Sequence, residues 1–125
     1  MIDIRTTLKH RYDIPFQDIC HAILGKKFEL SIIVCGDTLA RHINKSGRKK
    51  SYTPNVLSFP IDAKTGELIL NVRQAEREAH RYTHTKKEHV VYLVIHGLLH
   101  LKGMDHGATM DRAELRFMKQ FAHTL

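Results

Sequence analysis

The stretch Glu88 to Gly103, EHVVYLVIHGLLHLKG, constrains the fold more than any other because it is apolar on nearly every face and ends in glycine. A helix that is apolar all round must be enclosed by the rest of its protein, and a glycine just past its end suits a helix cap. The segment is therefore expected to be the central helix. It falls short of the roughly 20 apolar residues that span a bilayer, and the amino terminus MIDIRTTLKH lacks the apolar core of a signal peptide. A soluble, cytoplasmic protein is expected.

The rest of the chain supplies alternating elements. Residues 1–10 are weakly strand-like, and Asp13 with Pro15 opens a short helix carrying Ile19, Ile23 and Leu24 on one face and closed by Gly25. FELSIIVC, Phe28 to Cys35, is rich in β-branched residues and reads as a buried strand, after which Asp37 can cap a helix to about Asn44. Lys45 to Pro54 is polar and turn-rich and reads as an exposed loop. Strands at Val56–Phe59 and Leu68–Val72, with a turn closed by Gly66, are expected to pair as a hairpin, and residues 73–82 are strong helix formers. A last amphipathic helix from about Thr109 turns Met110, Phe117, Met118, Phe121 and Leu125 inward. The expected fold class is α/β (α+β), a small mixed β-sheet of about four strands packed with about five helices. At 125 residues with 42% hydrophobic content, one domain over 1–125 can bury such a core.

Composition narrows the chemistry. Cys20 and Cys35 sit in apolar stretches and read as buried free thiols. The formal charge of +7 favours a polyanionic partner, and ten histidines are the compositional oddity. Inside the apolar helix, His96 and His100 lie one turn apart and project from one face, about 6 Å apart along the axis. Gly103 lets the chain turn sharply, so that His106 can fold back and offer a third nitrogen to the same point. Three neutral imidazoles leave the fourth tetrahedral position of a zinc ion open, as a catalytic site requires, although nickel, copper and iron also accept imidazole. Asp105 can orient a ligand as a neighbouring carboxylate, or simply satisfy backbone donors in the turn. Gly97 stands where a zinc peptidase of the H-E-x-x-H type carries its general-base glutamate, so that chemistry lacks its usual base.

These residues closely resemble the YbeY endoribonucleases. The family pattern H-G-x-L-H-L-x-G-y-D-H is matched by HGLLHLKGMDH, His96 to His106, with Met104 where an aromatic residue is usual. A second block, NKSGRKKSYTPNVLSFP from Asn44 to Pro60, is similar to the family's N-x-x-Y-R-x-K-D-x-P-T-D/N-V-L-S-F-P, agreeing at Arg48 and from Asn55 to Pro60. GELIL, Gly66 to Leu70, looks like a further family strand. Departures are Gly47 for tyrosine, Ser51 for aspartate, the inverted pair Thr53-Pro54, and a last helix ending KQFAHTL without the usual glutamates. The resemblance spans roughly residues 28 to 120. It implies metal ligation by His96, His100 and His106, a functionally required arginine at Arg48, and zinc-dependent cleavage of single-stranded RNA in small-subunit ribosomal RNA maturation and ribosome quality control.

On that basis Arg48 would face the reacting phosphate, whose oxygens a guanidinium can meet bidentately. Arg41, Lys45, Lys49 and Lys50 around it are candidate RNA contacts; by charge alone they would read as a solvated loop. His80, His84 and His89 are expected at the surface, extending the cationic face. Tyr52 and Phe59 are the aromatic candidates for stacking on a base, with Phe59 expected in the core and no stacking platform evident. The competing reading is a ribosome-associated assembly factor whose zinc holds a turn in place. A metal-dependent hydrolase of a small molecule or peptide suits the triad but leaves the positive charge unexplained.

Overall fold

The computed structural model describes residues 1–9 and 12–122. In chain order it places β1 (Ile2–Thr6), α1 (Phe16–Leu24), β2 (Glu29–Cys35), α2 (Asp37–Arg48), β3 (Val56–Asp62), β4 (Thr65–Asn71), α3 (Val72–Glu78), a 3-10 turn (Ala79–Tyr82), α4 (Lys86–Leu101) and α5 (Ala108–Phe121). The four strands form one sheet in the order β1-β2-β4-β3. β1 and β4 run parallel to β2, while β3 pairs antiparallel with β4 as its hairpin partner. This is the mixed α/β architecture expected from the sequence.

Strand side chains alternate between faces, so the sheet carries two separate apolar layers. Leu30, Ile32, Val34, Leu68 and Leu70 join the main core with Val90, Val94, Ile95 and Leu98 of α4. On the opposite face Cys35, Leu57 and Ile69 pack with Ala40 of α2, flanked by Leu39, Ile43 and Phe59. Both cysteines are buried and free, and burial is the first cause that pushes their thiols up, Cys20 to about 12 and Cys35 to about 11. They are core side chains rather than nucleophiles.

The central helix α4 packs against α1, α3, α5, β3 and β4. It starts at a reciprocal cap: Thr85 Oγ1 accepts from the Glu88 N–H at 3.1 Å, and Glu88 Oε1 accepts from the Thr85 N–H at 2.8 Å. It ends where Gly103 adopts φ 103°, with the Gly103 N–H bonded to the His100 carbonyl and the Met104 N–H to the Leu99 carbonyl, both at 3.0 Å. That paired cap needs a left-handed residue, which glycine adopts at least cost. Gly97 has a different purpose. A Cβ there would meet Leu68 Cδ1 at 2.5 Å and Val56 Cγ2 at 3.0 Å, so only glycine lets α4 lie this close to β3 and β4. Ser58 Oγ donates to the Gly97 carbonyl at 2.9 Å across the same contact. No glutamate of the peptidase type could occupy this position.

The structure corrects several local readings. α2 runs through Arg48 rather than stopping near Asn44, so Lys45 to Arg48 form a helical turn and the loop is shorter. Its polar sequence reads as loop because the turn is anchored by a polar group: Asn44 is fully buried and its Nδ2 donates to the Tyr52 carbonyl at 3.0 Å. Asp37 is the first helical residue, not the cap, and its carboxylate accepts from Arg77 at 2.6 Å and from Asn71 at 2.9 Å. Gly66 lies within β4 rather than closing the turn, and Val72 opens α3. Of the inward face assigned to the last helix, Met110, Phe117 and Phe121 are buried and Met118 partly so, while Leu125 lies outside the described residues.

Candidate metal centre

His96 and His100 project one turn apart from the C-terminal half of α4, and the turn made by Gly103 returns His106 to them. Their ring centroids lie 4.6 Å apart, and that of His106 is 5.3 Å from His96 and 4.8 Å from His100. One nitrogen from each of the three comes within 4.8 Å of the others.

The outer nitrogens decide what the inner ones can do. His96 Nδ1 lies 2.5 Å from Glu114 Oε2 on α5, and His100 Nδ1 lies 3.0 Å from the Met104 carbonyl. Carboxylates and carbonyls only accept, so each Nδ1 carries the proton and each Nε2 of a neutral ring presents a lone pair. Those two Nε2 atoms face each other at 3.1 Å. Two lone pairs repel unless a cation stands between them. The spacing is close to the roughly 3.3 Å that zinc–nitrogen bonds of about 2.0–2.1 Å impose in a tetrahedron. Burial comes first among the causes that lower the pKa of His100, with the charges of His96 and His106 acting in the same direction, so the ring favours the neutral form that a metal needs. The residues therefore fit a metal ion, and the three histidines can hold one.

Glu114 is the orienting carboxylate that the sequence reading missed. It is buried on α5, four residues after Met110 and three before Phe117, within the inward stripe of that helix. A carboxylate in an apolar stripe was the available signal. Asp105, the orienting candidate from sequence, is exposed and adjoins His106; its charge raises the pKa of His100 as a minor cause. Tyr92 stands one turn before His96, its ring centroid 6.2 Å away. Burial, then the charge of Glu114, pushes its phenol up to about 12, so it stays protonated.

Arg48 reaches the same place from α2. With Tyr52, Asn55 and Ser58 it lines a cleft of about 390 Å³ whose other wall is His96, His100 and His106. Its Nη1 donates to Asn44 Oδ1 at 3.3 Å and to the Tyr52 hydroxyl at 3.0 Å. Asn44, held by the Tyr52 backbone, thus fixes one edge of the guanidinium and leaves the rest to the cleft. Arg41 donates to Thr53 Oγ1 at 3.2 Å, and Lys45, Lys49 and Lys50 are exposed. None of these four lines the cleft. A larger cleft of about 510 Å³ lies by β1, at the far edge of the sheet, and among the described residues gathers no comparable set of groups.

His89 corrects the expectation of a surface histidine, since it is fully buried; His84 is half-buried and His80 exposed. His89 Nε2 lies 3.3 Å from Glu78 Oε2, and its Nδ1 is 3.1 Å from His84 Nδ1. Burial would raise the pKa of Glu78, but hydrogen bonds from Asn55, Gln74 and His89 outweigh it and hold the carboxyl below its usual value. Asn55, which lines the cleft beside the triad, is thereby tied to the half-buried Glu78 at 3.1 Å.

A cleft on a mixed α/β sheet that sets three histidines able to hold a metal ion opposite an anchored arginine defines the class of domain. The sequence profile of the family described as Endoribonuclease YbeY matches residues 4–124, and the chain belongs to that family. A Mesoplasma florum protein of that name is 34% identical over 108 residues, covering 77% of this chain and 64% of the relative. One from Nautilia profundicola is 31% identical over 121 residues, covering 93% of this chain and 84% of the relative. One from Stutzerimonas stutzeri is 36% identical over 100 residues, and there the chain spans 62% of the relative, so it falls short of two thirds of two of these three. A solution structure of a Thermotoga maritima protein superposes with a TM-score of 0.67 over 95% of this chain and 87% of that one, at 21% identity, and shows the same fold. Among the described residues, no helix is long and apolar enough to cross a membrane.

Proposed function

We propose that this chain is a zinc-dependent endoribonuclease that cuts single-stranded RNA, with ribosomal RNA of the small subunit as substrate and the cytoplasm as its place of work. The observation that carries the reading is the shared cleft, in which three histidines with converging nitrogens face one anchored arginine. Membership of a family named for endoribonuclease activity and a net charge of +7 agree with an RNA substrate.

His96, His100 and His106 would hold the ion, which supplies Lewis-acid chemistry when bound. Glu114 and the Met104 carbonyl keep the Nδ1 protons of His96 and His100, so both Nε2 atoms stay free to ligate. Arg48, steadied by Asn44 and Tyr52, meets the non-bridging phosphate oxygens and stabilises the charge that gathers on them in the transition state. Arg41, Lys45, Lys49 and Lys50 attract the strand along the exposed side of α2. Asp105 adds negative charge beside the triad. The cluster contains three side chains among the described residues, which suits an open catalytic position better than the closed four-ligand shell of a structural zinc.

The test is cleavage of a labelled single-stranded ribosomal RNA fragment by purified protein of measured metal content, alongside a chelator and an Arg48→Ala variant. Cleavage that both controls abolish supports the nuclease. A metal-replete protein that binds RNA with salt-sensitive affinity but never cuts it would instead be an assembly factor.

A further inference from the structure

Six large apolar side chains are prominently exposed among the described residues, and two of them, Tyr52 and Tyr82, are aromatic. Tyr52 lines the cleft itself. Tyr82 tops an aromatic shelf on its other flank. Its ring stacks on His84 at 5.7 Å with an interplanar angle of 20°, and it meets His89 at 4.7 Å and Tyr92 at 5.3 Å. Tyr92 in turn lies 6.2 Å from His96. His89, Tyr92, His96 and His100 recur at helical spacing along α4, so the base of the shelf and two of the three histidines share one stripe of that helix.

A single exposed tyrosine would mean little. Tyr82 differs because the shelf holds its ring on one side while 47% of the residue remains open to solvent, and Tyr92 links it to His96 through successive ring separations of 5.3 and 6.2 Å. Arg81 and Lys86 are exposed beside it and suit a polyanionic strand. We propose that Tyr82, supported by His84 and Tyr92, is a base-stacking subsite that receives an unpaired nucleobase next to the phosphate held at the triad. This rests on the single-stranded RNA reading above and deepens it. Paired bases present no free face, so the shelf admits single strands and resists duplexes. Because every base has a stacking face, it confers little sequence preference. No stacking platform is evident in the sequence because Tyr82 and Tyr92 meet only through the 3-10 turn that precedes α4.

The test uses the full chain with chelator present, so that the strand stays intact, and a short single-stranded RNA carrying 2-aminopurine, with an abasic strand of equal length as control. Tyr82→Leu keeps an apolar side chain at an exposed position, and Tyr82→Phe keeps the ring. The parent and Tyr82→Phe should bind the base-bearing strand alike and quench its fluorescence. Tyr82→Leu should bind it about tenfold more weakly with the quench reduced, while matching the parent on the abasic strand. Equal affinity and equal quench in Tyr82→Leu, a parent that binds the abasic strand as tightly as the base-bearing one, or a parent that binds neither strand would each overturn the subsite. Loss of the quench in Tyr82→Leu alongside a metal-replete parent that never cuts RNA would uphold the shelf and sink the nuclease. Metal-dependent cleavage with no effect of Tyr82→Leu on binding would do the reverse.

Discussion

The two halves of α4 each pair a histidine with a buried or half-buried glutamate from another helix, yet only one half can be a reactive site. Near the start of the helix, His89 meets Glu78 at 3.3 Å through one nitrogen and His84 at 3.1 Å through the other. Both ring nitrogens are used within the protein, and the ring is fully buried. Two turns on, His96 gives one nitrogen to Glu114 at 2.5 Å, but its second faces another lone pair on His100. The first arrangement satisfies itself. The second leaves nitrogens that can hold a cation, so the use made of the remaining nitrogen separates a structural histidine from a candidate ligand.

The sharpest way to break this comparison is to remove one histidine from each half. His100→Ala should lose more than the roughly 10–100-fold in metal affinity that an orienting partner typically carries, read as metal content after gel filtration with zinc buffered in the eluent. A variant that kept its metal would show that the triad is not the site. His89→Ala should retain metal, yet lower stability by about 2–3 kcal/mol in urea denaturation, because it opens a cavity and strips Glu78 of a partner. If instead it were as stable as the parent, the contact between buried His89 and Glu78 would be incidental.

The next test is finer. Glu114→Gln keeps a side-chain oxygen that can accept the His96 Nδ1 proton but removes the charge, so metal affinity should fall by about tenfold with the ring still positioned. Glu114→Ala should cost more, because it frees the ring as well. Equal affinities in all three proteins would mean that His96 is oriented by its packing alone.

How much of this could be read from the chain follows the same division. His96, His100 and His106 were legible because helix periodicity and one glycine fix their approach. The strands of the sheet were legible because short β-branched and apolar runs bounded by turn residues mark them, whereas its two apolar layers were not read. Glu114 was not picked out, although it sits between Met110 and Phe117, because a lone carboxylate on an amphipathic helix takes its meaning from the helix it packs against. The last turn of α2 was hidden for a related reason. It is anchored by the buried Asn44 bonding the Tyr52 backbone, a polar contact that leaves no apolar period in the sequence. His89 looked like a surface residue among lysines and histidines because its burial depends on α3 and on the 3-10 turn folding over it.

The smallest expected effect lies in the pH dependence of stability, and it distinguishes the two halves by their response to metal. Burial holds the pKa of His89 below its ordinary 6.5, against the pull of Glu78, and burial likewise lowers His100. In the unfolded chain both rings take up protons near 6.5, while in the folded chain they do so only at lower pH. Each therefore adds stability that is fully present above about 6.5, declines as pH falls below it, and stops declining once the folded ring is protonated too. The His100 contribution belongs to the ligand set, so saturating zinc should raise stability at neutral pH and steepen its loss on acidification, as protons and metal compete for the same nitrogens. The His89 contribution should persist unchanged in His100→Ala, where zinc has no hold. Urea denaturation between pH 7.5 and 5, run with zinc and with chelator, resolves the two. A zinc-dependent slope that survives in His100→Ala would place the metal elsewhere, and a slope in that variant that His89→Phe fails to flatten would remove the buried pair as its source.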